Sequence, residues 1–482
     1  MEAGAMEGDT AGLSPAQMDR ATGAMVGLAV GNALGSGYAF QPKPHPLEIR
    51  MLPGGLGPYA LGEWADDTAM ALPILQAVAR GMDLLDPSTQ DEVAATWVDW
   101  VIDAKDVAPV IAKVLSAYEP EMGAESMRRA AAVLHASGAN AAGNASLMRT
   151  TPIALAYLHD ADATARAARV YSDLTHANPS AAEACILWNL AQREAILTGR
   201  FDIRAGLPHV PESRRAHWET LFVQAESGMP QDFAIRNGWG AQTVQHAWSA
   251  IVHCEQQGPE HLEQTLRQVI AAGGDTPTAA ALAGSLLGAR WGVSAIPLQW
   301  RRHVHGWPGL RDTDLVRLSA EAVTGRPWPA TFAKGPLSLP PIAHPADNGL
   351  WLGGARGLRP LPGHIDAVVS LCRLGADQQP LPTPEPSDHV RVWLIDSADA
   401  GDNPNLEHVA EQAVAMVMNL RADGHRVYLH CDDGRSRTPF IASLYGSRFA
   451  DAPADEVLRA IQRLAPQAQP NPAFLRMIHT FV

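Results

Sequence analysis

A cysteine followed after five residues by an arginine is a spacing that phosphate chemistry can use, and the chain carries it at Cys431 and Arg437 in VYLHCDDGRSRTPFIASLY. The apolar run before Cys431 predicts a strand; the run after it, with Pro439 suited to a first turn, predicts a helix. Between them Gly434 permits a tight bend. The backbone N–H groups of Asp432, Asp433, Gly434, Arg435, Ser436 and Arg437 can then converge on one phosphate, and the helix adds its N-terminal dipole. The same amides favour thiolate over thiol at Cys431, and thiolate is the attacking species. Arg437 can donate two parallel hydrogen bonds to phosphoryl oxygens and hold the charge that spreads over them in the transition state. Thr438 brings a hydroxyl that can hydrogen-bond the departing sulfur. Expelling an alkoxide or phenoxide also needs a proton, so a general acid must come from a separate loop. The stretch IDSADAGDNPN supplies Asp396, directly after a predicted strand and the first choice, with Asp399 and Asp402 as alternatives. Two of the three must be ordinary turn residues.

Three clusters in the first two thirds of the chain place oxygen-bearing side chains at predicted helix starts. They are Asp66, Asp67 and Thr68 in GEWADDTAM, Asn144, Ser146 and Arg149 in GNASLMR, and Asp275 and Thr278 in GGDTPTAAALAGSLLGAR. Adjacent carboxylates repel, so Asp66 and Asp67 make sense with a hard cation between them or with a helix N-terminus drawing on both. Taken singly, each cluster is better explained by helix capping, since Asp and Thr are ordinary N-cap residues.

These residues need platforms, and the texture of the chain supplies two. From Ala16 to Val323 it is rich in Ala and Leu with helical periodicity; beyond a proline-punctuated stretch come short apolar runs, AVVSLC, VRVWLI and RVYLHC, alternating with helical segments. The expectation is a multidomain chain: a loose tail at 1–16, an all-helical domain at 17–323, a Pro-rich linker at 324–347, and an α/β domain at 348–482 with a parallel or mixed sheet. The first nineteen residues lack the basic start and apolar run of a signal peptide. With 482 residues, two cores are expected rather than one.

Composition narrows the partners. A net charge of −14 repels polyanions, and the densest basic cluster, RRHVHG at Arg301 to Gly306, reads as a solvated turn with two surface histidines, so no nucleic-acid partner is expected. No apolar stretch approaches the roughly 20 residues that span a bilayer, so no membrane is expected either. Four widely spaced cysteines form no CxxC pair, which suggests neither a disulfide framework nor a zinc site and fits a cytoplasmic setting.

HCDDGRSRT matches the HCxxGxxR[ST] signature of dual-specificity and related protein tyrosine phosphatases, and the resemblance runs from Leu350 to Val482, through LWLGGARGL and AVVSLC. It implies Cys431 as nucleophile, Asp432 to Arg437 as phosphate loop, Asp396 as acid, a phosphocysteine intermediate, and no cofactor. The acidic pair Asp432 and Asp433 is unlike members that act on phosphoinositides. Upstream, from Arg20 to Trp300, the chain resembles the ADP-ribosylglycohydrolase family, an all-helical fold that uses two magnesium ions. The likeness rests on GLAVGNALG, on Thr175-His176 ahead of a proline, and on the helix after Asp275 ending in GARWG with IPLQW behind it.

That resemblance implies magnesium ligands at Asp66, Asp67, Asp275 and Thr278, and an ADP-ribose pocket lined by Asn144, Ser146 and His176. The chain departs from the family pattern at Ala65, at Pro277, where a ligating aspartate is usual, at Asn32 and at Ala39. One magnesium ion is therefore easier to accommodate than two. The implied function is a bifunctional hydrolase acting on an ADP-ribosylated protein or small ADP-ribose derivative and on a phosphoester. The alternative is a phosphatase whose helical domain only reads ADP-ribose.

Overall fold

The structure is a computed structural model that describes residues 12–138, 142–328, 338–372 and 386–481. Most of the expected tail (1–11) and the middle of the expected linker (329–337) lie outside those residues. The chain divides into two compact units. One holds Gln17–Ile296 and His303–Pro327, the other Pro297–Arg302 and Trp328–Val482 together with Ser14–Ala16.

The first unit is helical. Its opening helix, Pro15–Ser36, is buried along most of its length, and Gly23, Gly27, Gly31 and Gly35 recur every fourth residue, so they share one face. That face meets the helix Thr276–Trp291 backbone to backbone: a Cβ at Gly31 would lie 2.0 Å from the Ala280 carbonyl oxygen, and one at Gly27 2.1 Å from that of Gly284. The close approach sets the C-terminal end of the first helix beside the start of the second, where Thr276 Oγ1 donates to Gly35 O at 2.8 Å. A third helix, Asp66–Ala79, is braced by the Trp97 indole, which donates to Met70 O at 2.9 Å.

Among the described residues, the strands of this unit are β1 (His305–Gly306) and β2 (Leu310–Arg311), a two-residue antiparallel hairpin inside the stretch read as helical. Neighbouring Arg301, read as part of a solvated turn, is buried at 4% exposure. No described helix is long and apolar enough to cross a membrane.

The second unit is α/β. Its strands are β3 (Ile342–His344), β4 (Asp347–Gly354), β5 (Ala367–Ser370), β6 (Asp388–Arg391) and β7 (Val427–Cys431), in the spatial order β3-β4-β7-β5-β6. Only the β3–β4 pair is antiparallel. The inward sides of these strands pack with the helices Leu406–Ala422, Arg437–Ala450 and Pro472–Thr480 into one apolar core, in which Phe440 stacks on Phe474 at 4.4 Å. Asp347, at the start of β4, ties three elements together. It takes a bidentate pair from Arg421 (2.7 and 2.9 Å), the Tyr445 hydroxyl (2.6 Å) and the Gly349 amide (2.8 Å).

The strand expected at VRVWLI is shorter than the apolar run. β6 ends at Arg391; the Val392 amide still reaches Ser370 O on β5 at 2.9 Å, but further on the groups bond elsewhere, with Leu394 O accepting from Arg437 and both backbone groups of Ile395 pairing with the Asn403 side chain. Asp396 thus follows an extended, non-sheet segment.

Candidate functional site

β7 runs through the middle of the second sheet and delivers Cys431, fully buried, to its C-terminal end. Three carbonyls of the following loop are held from outside it: Asp432 O by the Ala355 amide (2.7 Å), Asp433 O by that of Leu339 (2.8 Å), Arg435 O by that of Gln469 (2.7 Å). In a trans peptide the N–H points opposite its C=O, so the amides of Asp433, Gly434 and Ser436 are turned to the loop's interior. Gly434 sits at φ +81°, and a Cβ there would lie 2.7 Å from Gly353 C and Leu339 Cβ, so the bend needs glycine twice over. The Arg435 amide is instead accepted by Asp433 Oδ1 at 3.0 Å, and the Arg435 side chain reaches Gln467 O at 3.4 Å.

Arg437 opens the helix Arg437–Ala450, is 9% exposed, and donates from Nη1 to Leu394 O at 3.2 Å, tying the helix start to the segment that carries the candidate acid. Asp396 joins the loop directly. Its Oδ1 accepts from Ser436 Oγ (2.6 Å) and from Asn471 Nδ2 (2.9 Å), and the Asn471 amide donates to Ser436 Oγ (3.1 Å). Asp399 is exposed, its Oδ1 spent on the Gly401 amide at 2.8 Å, and the Asp402 amide closes the same turn on Asp399 O. Thr438 differs from expectation. Its one hydroxyl proton goes to Gly353 O at 3.1 Å rather than to the sulfur.

Asn403, which clamps Ile395 through 2.9 Å bonds to both its N–H and C=O, and Asn471 are positioning residues that sequence reasoning missed. An asparagine beside prolines signals only a turn.

In the helical unit a cavity of about 230 Å³ is lined by Asp66, Asp106, Asn144, Asp275, Pro277 and Thr278, with Phe40, Leu56 and Tyr59 on its apolar side. Asp275 precedes the first turn of Thr276–Trp291. Its carboxylate accepts from Asn144 Nδ2 at 2.7 Å, while Asn237 holds its backbone through both N–H (2.8 Å) and C=O (3.3 Å). Thr278 also bonds this carboxylate through its backbone and side chain, so Asp275 serves both the helix start and the cavity wall. Pro277 fits the first turn, where its missing N–H costs nothing, but it offers the cavity no oxygen.

Asp66 and Asp67 lie in the first turn of Asp66–Ala79, behind an Ala65 that cannot cap. Asp67 is fully buried, whereas Asp66 and Asp275 keep some exposure to the cavity. Burial first, then the neighbouring charges of Asp106 and Asp275, pushes the Asp66 carboxyl up to about 7. Burial and the charges of Asp66 and Asp275 drive Asp67 well above the usual carboxylate range. Asp275 is raised by burial as well, against the pull of Asn144 and Thr278. Asp106 was missed by sequence reasoning, since an aspartate just ahead of an Ala-Pro helix start reads as a turn residue.

Asn32 ties the start of Asp66–Ala79 to the opening helix. Its Nδ2 donates to Asp67 Oδ2 at 2.5 Å and its Oδ1 accepts from the Ala65 amide (2.8 Å) and the Thr68 hydroxyl (3.1 Å). The other oxygen, Asp67 Oδ1, is buried without a hydrogen-bond partner. An orphaned carboxylate oxygen among raised carboxyls is the donor chemistry of one hard cation. Among the described residues, however, no three acidic, histidine or cysteine side chains converge as a ready-made metal centre.

Of the three residues expected to line an ADP-ribose pocket, Asn144 lines this cavity. Ser146 is fully buried behind it, accepting from Ser172 Oγ at 3.0 Å. His176 is 1% exposed, 2.8 Å from Thr175 Oγ1, and is pushed down to about 3 by burial and by Arg149, so its ring is neutral.

The helical unit thus gathers carboxylates at helix ends around one cavity. The chain belongs to the ADP-ribosylglycohydrolase family, whose model matches residues 13–328. It is 29% identical over 308 residues to the ADP-ribosyl-[dinitrogen reductase] glycohydrolase of Rhodospirillum rubrum, a match covering 59% of this chain and 90% of that protein. It is 26% identical over 295 residues to the ADP-ribosylarginine hydrolase Tri1 of Pseudomonas putida, covering 60% and 75%. The second unit contributes a shorter likeness, 32% identity over 93 residues to human protein phosphatase Slingshot homolog 3, covering 19% of this chain and 13% of that one.

Proposed function

We propose that the chain is a two-site hydrolase, releasing ADP-ribose from an ADP-ribosylated protein or small ADP-ribose derivative at the helical cavity and cleaving a phosphomonoester at the Cys431 loop, in the cytoplasm. The observation that carries the first activity is the cluster of raised carboxyls around Asp67, with one orphaned oxygen facing no donor. A magnesium ion held there by Asp66, Asp67, Asp275 and Thr278 would supply Lewis-acid polarisation and a more acidic bound water. Asp275 fixes the Asn144 amide at the cavity wall, and Phe40, Leu56 and Tyr59 give the cavity an apolar side against which a nucleoside can lie. The test is ADP-ribose release from an ADP-ribosylated arginine or serine peptide, with and without magnesium. Magnesium-dependent turnover lost in Asp67→Ala is the expected result.

Asn32 and Pro277 favour a second reading of this unit, a reader that binds ADP-ribose without hydrolysing it. An amide already donates to Asp67 Oδ2, and one customary ligand is a ring. ADP-ribose binding by calorimetry with no release from either peptide would select it.

At the other site the Cys431 thiolate attacks phosphorus, the P–O bond breaks, and Asp396, when protonated, gives its proton to the leaving oxygen. Water then attacks the phosphocysteine and gives a proton to Asp396, the S–P bond breaks to return the Cys431 thiolate, and phosphate departs. Arg437 and the inward amides hold the equatorial oxygens throughout.

A further inference from the structure

Three side chains form a hydrogen-bonded chain that ends on the nucleophile's own peptide. Ser370, at the end of β5, is fully buried between two histidines, its Oγ 2.6 Å from Nε2 of His430 and 2.8 Å from Nε2 of His389 on β6. The other ring nitrogen of His430, Nδ1, lies 3.1 Å from the carbonyl oxygen of Cys431. The parallel register places Ser370 opposite His430, and the Tyr428 ring stacks on His430 at 5.6 Å and 16°.

The proton positions follow from what each atom can do. A carbonyl oxygen only accepts, so Nδ1 of His430 carries a proton. Burial, with Arg437 and Arg391 adding to it, pushes His430 down to about 4, so the ring is neutral and its Nε2 is bare. Ser370 therefore donates its single proton to His430, and its oxygen accepts from a protonated Nε2 on His389. The reverse assignment would set a bare Nδ1 against a carbonyl lone pair.

We propose that Ser370 and His389 are positioning residues that lock His430 as its Nδ1–H tautomer, so that the Cys431–Asp432 peptide is held and polarised for a thiolate and a bound phosphoryl group. The proposal rests on the phosphatase reading of this loop. Drawing electron density onto the Cys431 oxygen makes the Asp432 N–H of the same peptide a stronger donor, and aligned hydrogen bonds reinforce one another. A merely structural polar cluster would need no particular direction.

The test pairs long-range 15N–1H spectra of the histidine rings in the full-length protein with the rate of Cys431 alkylation by iodoacetamide and with p-nitrophenyl phosphate turnover. His430 should appear neutral with protonated Nδ1, and His389 with protonated Nε2. Ser370→Ala should lose the single His430 tautomer and slow both alkylation and kcat about tenfold with KM little changed, while Ser370→Thr stays within about twofold. His389→Phe should behave like Ser370→Ala, and His389→Gln, which keeps a donor in place of Nε2, like the native protein. His430 protonated at Nε2, or unchanged alkylation in both Ser370→Ala and His389→Phe, would overturn the proposal. The expected tautomers and Ser370-dependent alkylation without any phosphate release would uphold it while rejecting the phosphatase reading.

Discussion

Asp396 is distinguished from Asp399 by what each carboxylate does now. Asp396 is bound to Ser436 and Asn471 at the edge of the loop, whereas Asp399 is consumed by a turn amide. With p-nitrophenyl phosphate and with an alkyl phosphate, Asp396→Asn should lower kcat most for the alkyl ester, whose leaving group needs the proton, and Asp399→Asn should leave both rates within about twofold. Loss of the alkyl-ester rate in Asp399→Asn would reassign the acid. Cys431→Ser should abolish turnover, and Arg437→Lys should lose about 100-fold in kcat, because an ammonium cannot span two phosphoryl oxygens in one plane.

Elements decide how firmly these residues are held. The opening helix and Thr276–Trp291 touch through glycine backbones, so Gly31→Val has no room and should cost about 3 kcal/mol, read as a lower thermal midpoint of the helical unit. In the second unit Asp347 is the corresponding tie. Burial alone would raise its carboxyl, but Arg421, Tyr445 and the Gly349 amide hold it at about 2. A folded-state value below the usual 3.8 means the stabilisation is complete above about pH 4 and disappears as pH falls through 2. Asp347→Asn should therefore cost about 3 kcal/mol at pH 7 and progressively less in acid, measured by denaturant unfolding along a pH series.

For the whole molecule, two units with separate cores imply separable activities. Cys431→Ser should leave ADP-ribose release within about twofold of native, and Asp67→Ala should leave p-nitrophenyl phosphate turnover similarly unchanged. Magnesium should raise the thermal midpoint of the native chain and not that of Asp67→Ala, since a ligand that binds only the folded state stabilises it by mass action. An equal rise in both would remove Asp67 from the metal site.

Much of this was legible in the chain. The Cys431–Arg437 spacing with Gly434 predicts a tight loop between a strand and a helix, and the structure has β7, a left-handed Gly434 and the helix Arg437–Ala450 there. The change from helical periodicity to short apolar runs separates two fold types, and glycine at every fourth place in GAMVGLAVGNALG marks a backbone-to-backbone helix contact. Local chemistry of that kind acts over a few residues, where sequence order and spatial order coincide. What only the tertiary structure decided depends on distant segments meeting in space. It made Asp275 a cavity wall as well as a helix start, brought Asp106 beside Asp66, ended β6 early so that Asn403 and Arg437 hold the segment before Asp396, and packed Ser146 and His176 behind the cavity rather than along it. It also aligned Ser370, His389 and His430, from three strands, on one carbonyl, because neighbouring parallel strands set side by side residues that are far apart in the chain.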